Sequence, residues 1–84
     1  MAQEITLASG ETVTVTELKT RIGRVWEIAR NSMKLQDYYR EQATQPGVWE
    51  HTALGYYEDA RREEEKANRH LKIHDNLITV LIAA

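Results

Sequence analysis

The chain has 84 residues, no cysteine, and a formal charge of −2 from eleven Lys and Arg against thirteen Asp and Glu. That length allows one domain, near the lower size at which burial outweighs chain entropy, and the missing cysteines exclude disulfide bracing, thiol catalysis and thiolate metal sites. Charged residues of both signs make up 29% of the chain, which excludes a polyanion or polycation by composition while allowing a local patch of either sign.

The opening Met1-Ala2-Gln3-Glu4 lacks the basic start and apolar run of a secretory signal. The apolar run Leu77 to Ala84 is far shorter than the roughly 20 residues that span a bilayer. The expectation is a cytoplasmic protein with no membrane partner.

Residues 1–13 read as a β-hairpin or extended arm. Apolar Ile5, Leu7, Val13 and Val15 alternate with Thr6, Thr12 and Thr14 around Ser9-Gly10. Parity selects the loop. A two-residue loop would set Leu7 opposite Thr12, whereas a three-residue loop Ala8-Ser9-Gly10 sets Ile5 opposite Val13 and gives Gly10 the left-handed bulge position. Two strands are marginal alone, so their apolar face is expected to lie on the helices or to extend a neighbour's sheet.

A helix is predicted over 14–44. With Thr14 as N-cap, Glu17 falls at the third helical position and completes a capping box, while Val13 and Leu18 form a hydrophobic staple. Leu18, Ile22, Val25, Trp26, Ala29 and Met33 then follow helical spacing. Ile28, Leu35 and Tyr39 widen that stripe to about half the circumference, enough for more than one neighbouring helix. Gly23 costs the helix about 1 kcal/mol relative to Ala, and is expected to mark a close helix crossing.

Gln45-Pro46-Gly47 breaks the pattern within a turn at 45–48. The second helix, 49–84, carries Trp49, Ala53, Tyr56, Tyr57, Ala60, Ala67, Leu71, His74, Ile78 and Leu81 at helical spacing. Ala53, Ala60 and Ala67 recur every seven residues, which permits close approach of a partner helix. The charged run from Glu58 to Lys66 reads as a solvated face, with Glu58 to Arg62 and Glu65 to Arg69 in the favourable i,i+4 order. Ile73 and Val80 leave the stripe, so the last turns are apolar nearly all round; Leu77 to Ile82, rich in branched residues, has a strand as its alternative.

The fold class expected is therefore mostly α, an N-terminal β-hairpin followed by an antiparallel helical hairpin, forming a four-helix bundle on dimerisation. Helices of about 30 residues are rods of roughly 45 Å that meet along one seam. One seam leaves part of the first stripe and the apolar end wet. Packing two hairpins together covers both, so a homo-oligomer is expected, with Trp26, Ile28, Leu35, Ile73, Leu77, Val80 and Leu81 as interface candidates.

His70 and His74 stand at i,i+4 on the same side as Glu63, a spacing that can hold a metal, but the companion acids of di-metal bundles and metalloproteases are absent. The favoured reading is inert core-edge histidines. His51 has no nucleophile partner in sequence, and Ser9 and Ser32 lack an elbow motif. No catalytic, metal or cofactor residue is assigned. The aromatic and arginine set is more informative: Tyr38, Tyr39, Arg40, Trp49, Tyr56, Tyr57, Arg61 and Arg62 are the interaction candidates, since Tyr and Trp suit surfaces that are dry on one side and wet on the other.

The function expected is a non-enzymatic protein-interaction module: a small adaptor, inhibitor or assembly factor. Small size and lack of motif also suit a phage or mobile-element accessory protein that blocks a host factor by surface occlusion. The alternative is an oligomeric binder that sequesters a small anionic ligand such as a nucleotide, with rings stacking on the base and arginines on phosphate. A metal-dependent enzyme using Glu63, His70 and His74 is the minor alternative.

Overall fold

Local chemistry sets residues 3–15. In the computed structural model, which describes residues 3–83, strands β1 (Glu4–Thr6) and β2 (Thr12–Thr14) pair antiparallel with Ile5 opposite Val13. Leu7 and Glu11 close a three-residue loop, the Leu7 amide donating to the Glu11 carbonyl at 2.7 Å, and Gly10 takes φ +87°. Met1 and Ala2 of the expected arm, and Ala84 at the expected end of the second helix, lie outside the described residues.

Helix α1 (Val15–Ala43) starts where its caps dictate. The Glu17 amide donates to Thr14 Oγ1 at 3.1 Å, and the Thr14 amide donates to the Glu17 carboxylate at 3.2 Å. At the far end the Thr44 hydroxyl donates to the carbonyls of Arg40 and Glu41, and Gly47, at φ +83°, turns the chain back. Helix α2 (Glu50–Ala83) then runs without a break through Leu77 to Ile82, so the strand alternative for that run does not hold.

The two helices lie antiparallel. On α1, residues 18, 22, 25, 29, 32, 36, 39 and 43 alternate in steps of four and three, and all are buried or half-buried. The same holds on α2 for residues 53, 56, 60, 63, 67, 70, 74, 77 and 81. This is a coiled-coil seam. Away from the hairpin end its most buried members are small: Ala29, Ser32, Ala43, Ala60 and Ala67. Small side chains let the helix axes approach closely, but each removes little apolar area from water.

Among the described residues, large apolar side chains are buried together at one end. Ile5, Val13 and the fully buried Leu18 form a cluster against which Leu7, Val15, Ile22, Leu77, Val80 and Leu81 pack. The β-hairpin thus covers the end of its own α2, and the Val13–Leu18 staple anchors it. Arg21 adds a clamp, its guanidinium donating to both carboxylate oxygens of Glu11, one at 2.9 Å.

The resulting rod measures 61 × 18 × 16 Å. It exposes 6281 Å², whereas a compact monomer of 9.7 kDa exposes about 5,100 Å². Among the described residues no helix is long and apolar enough to cross a membrane.

Gly23 departs from expectation. It lies on the outer side of α1, and a Cβ built on it meets nothing within 4 Å, so it marks no helix crossing. Gly23→Ala is therefore expected to raise unfolding stability by about 1 kcal/mol, read as a higher urea midpoint. The clamp makes a second prediction. The Arg21 hydrogen bond holds the Glu11 carboxyl below its ordinary value, so its contribution is complete above the ordinary carboxylate range and disappears as pH falls through that lowered value. The stability gap between wild type and Glu11→Gln should be present at pH 7 and close below about pH 4. A gap that persists in acid would assign the effect to packing.

Candidate functional site

Seam geometry sorts the remaining side chains onto two flanks. Arg40 of α1 reaches Glu64 of α2 across one flank at 3.5 Å. Stepping by seven from that pair, forward on one helix and back on the other, brings Met33 level with Leu71 and Trp26 level with Ile78. Trp26 is 44% exposed, and its ring lies 5.6 Å from that of His74. Met33, Leu71 and Ile78 are half-buried. The opposite flank carries Arg21, Ile28 and Leu35 of α1 with Lys66, Ile73 and Val80 of α2. The β-hairpin sits on this second side, because Arg21 pairs with Glu11 and Val80 packs into the hairpin cluster.

The interface candidates thus divide. Ile28, Leu35 and Ile73, at 39%, 41% and 45% exposure, share the hairpin-side flank, while Trp26 stands on the other. Leu77, Val80 and Leu81 are half-buried against the chain's own hairpin. Ile82, at 79% exposure, is the open part of the terminal run.

The aromatic set gathers at the turn end only in part. Tyr39 stacks on Tyr56 across the seam at 6.3 Å, and Tyr38 meets the edge of Tyr39 at 5.5 Å. Tyr38 and Tyr57 are about half exposed, and Trp49 is 82% exposed. Leu54, which sequence reasoning passed over, is 61% exposed, five residues after Trp49 and one turn before Tyr57. The clue to it was its place one residue off the Ala53 seam position.

The three arginines of the set are engaged by acids of their own chain. Arg40 bonds Glu64, and the Gln36 amide oxygen accepts from its guanidinium at 2.8 and 2.9 Å. Arg61 donates to Glu58 and Glu65, both at 2.8 Å, and Arg62 stands 3.8 Å from Asp59. The Arg61 hydrogen bond lowers the Glu58 carboxyl below its ordinary value, and Glu58 in turn raises Arg61. A phosphate at this end would have to displace carboxylates. An open hollow of about 300 Å³ does occur elsewhere, over Thr16, Glu17, Thr20, Arg21 and Arg24 on the first turns of α1, remote from the aromatic rings.

His70 and His74 are occupied within the helix. His70 Nδ1 lies 2.8 Å from the Lys66 carbonyl, which only accepts, so that nitrogen carries the proton. His74 Nδ1 lies 3.4 Å from Asp75 Oδ1. Among the described residues no three His, Cys, Asp or Glu gather in a metal-holding group, and Glu63, His70 and His74 do not form one. Glu63 instead faces the seam, level with the stretch Ser32 to Arg40, where its Oε2 is buried without a hydrogen-bond partner.

No family model, curated protein or solved structure matches this chain.

An unpartnered buried carboxylate oxygen costs free energy that an apolar side chain of similar volume avoids. Glu63→Met is expected to raise stability by about 1 kcal/mol in urea unfolding. An equal loss would mean that the carboxylate has a favourable partner in solution.

Proposed function

We propose that this chain is a non-enzymatic, self-associating protein-interaction module, a small adaptor or inhibitor that acts by covering a partner's surface. One observation supports this reading above the others: a single narrow seam leaves large apolar side chains half open along both flanks of the rod, with roughly 1,200 Å² more surface than a compact chain of this mass exposes. Exposed apolar groups in that arrangement mark association surfaces. The hairpin-side flank, with Ile28, Leu35, Tyr38 and Ile73, is the surface we assign to a heterologous protein partner. The nucleotide-binder alternative draws less support, since Arg40, Arg61 and Arg62 are each paired with acids.

Light scattering is expected to return a mass near twice 9.7 kDa. Proximity labelling in the native cell is expected to enrich a defined protein that is lost with Leu35→Glu, while thermal shifts with a nucleotide panel stay flat. A strict monomer at high concentration would remove the self-association. Labelling indifferent to Leu35→Glu would remove the flank assignment. A large nucleotide shift, of the order of the 2.7 kcal/mol that saturation at 100 times the dissociation constant supplies, would restore the binder reading.

A further inference from the structure

Charge separates the two flanks more sharply than apolarity does. On the hairpin-side flank Ile28 and Leu35 of α1 and Ile73 of α2 line an open groove, all three exposed. Lys66 stands one heptad before Ile73. Arg24 lies four residues before Ile28, Arg69 three after Lys66 and Arg62 four before it, so each borders the same row one step farther from the seam. All four cations are exposed, and among the described residues Arg24, Lys66 and Arg69 form no ion pair. The acids that share this side are engaged: Glu11 holds Arg21, Glu17 caps α1, and Asp59 stands 3.8 Å from Arg62. The opposite flank, by contrast, interleaves Asp37, Glu64 and Asp75 with its cations.

We propose that this groove receives an acidic amphipathic helix of another protein. The inference rests on the assignment of this flank to a heterologous partner and gives that partner its chemistry. Ile28 and Leu35 are seven residues apart, and so are Lys66 and Ile73. A helix laid in the groove presents side chains at the same repeat, its apolar stripe on the aliphatic residues and its carboxylates on the bordering cations. The open row from Arg24 to Tyr38 is about 21 Å long, which takes about 14 residues of helix. A nucleic acid meets the cations alone, because the middle of the groove is aliphatic and single-strand binding needs stacking rings. A second copy of this chain is also a poor match. In its most acidic stretch Glu58 and Glu65 hold Arg61, Asp59 neighbours Arg62, and Glu64 holds Arg40.

Two synthetic helical peptides of about 14 residues test this on the full chain by fluorescence anisotropy. Both carry the same leucine face, and they differ in having flanks of glutamate or of lysine; a single-stranded oligothymidylate is the third probe. The glutamate peptide is expected to bind about tenfold tighter than either of the others at low salt, since rim charges select partners more than they add raw affinity. Leu35→Glu abolishes its binding. Lys66→Glu/Arg69→Glu, at two exposed positions, reverses the preference so that the lysine peptide binds tighter, a reversal that a misfolded chain cannot give. Failure of the glutamate peptide to bind, a preference that survives the double substitution, or tighter binding of the oligothymidylate overturns the acidic helix. The same variants distinguish this inference from the flank assignment beneath it. Loss of the labelled cellular partner with Leu35→Glu but not with Lys66→Glu/Arg69→Glu overturns the acidic class and leaves the flank standing. Labelling indifferent to Leu35→Glu removes the flank, and the acidic helix with it.

Discussion

The structure depends on how thin its seam is. Alanines at 29, 43, 60 and 67, with Ser32, let α1 and α2 approach closely, but five such side chains remove only a small apolar area from water. Larger apolar residues are displaced to the two edges of the contact. Among the described residues the rod therefore has one cluster of large buried side chains, at the end where Ile5, Val13 and Leu18 meet the last turns of α2. The β-hairpin is more than an appendage in this arrangement. It supplies two of the three buried members of that cluster, and it closes off one flank at that end while leaving the other free along its length.

The polar character of the mid-seam follows a different logic. Ser32, Gln36, Glu63 and His70 occupy positions that a stable coiled coil fills with Leu or Ile. Gln36 is tied to Arg40 and His70 to the Lys66 carbonyl, whereas the buried Glu63 oxygen has no partner. An apolar seam of alanines is nearly repetitive, and a slip of one heptad costs it little. By the Arg40–Glu64 pairing Glu63 lies level with Tyr39 and Arg40, so a slip of two heptads, which sets its carboxylate against Val25, costs much more. Polar residues at such positions sacrifice stability and discriminate between registers.

What was legible in the sequence was what is local. Thr14 and Glu17 specify the helix start through atoms three residues apart, and parity alone fixed Ile5 against Val13, because alternate residues of a strand face opposite ways. Less legible was which part of the wide α1 stripe would form the seam. Ile28, Leu35, Trp26 and Met33 are as apolar as Val25, and periodicity does not distinguish a seam from its flanks until a second helix is laid against it. Gly23 misled because glycine carries the same helix penalty whether or not another helix approaches. The terminal run misled for a related reason. Leu77 and Leu81 line the seam and Val80 sits beside them on the hairpin side, because α1 and the hairpin meet α2 there together, and that meeting joins residues some seventy positions apart. The arginines shared this problem: the spacing offered Glu58 to Arg62 and Glu65 to Arg69, whereas Arg61 takes both Glu58 and Glu65, Arg62 stands by Asp59, and Arg40 to Glu64 is a pairing between helices.

The separation of the two flanks bears on function more than any single residue does. A surface used for self-association is lost to other partners, so a small module with one apolar face must choose between them. Here the hairpin marks one flank and leaves the other uncovered, and apolar side chains are exposed on both. If the proposed self-association uses the uncovered flank, any two-fold axis between the copies turns both hairpin-side flanks outward on opposite sides of the assembly. Dimerisation then doubles the surface offered to a partner rather than consuming it. Two weak contacts offered by one rigid body gain from effective concentration when the partner is itself repeated or symmetric. On the proposed self-association, the shortage of core that leaves apolar groups open along the rod would also make the chain a bivalent binder.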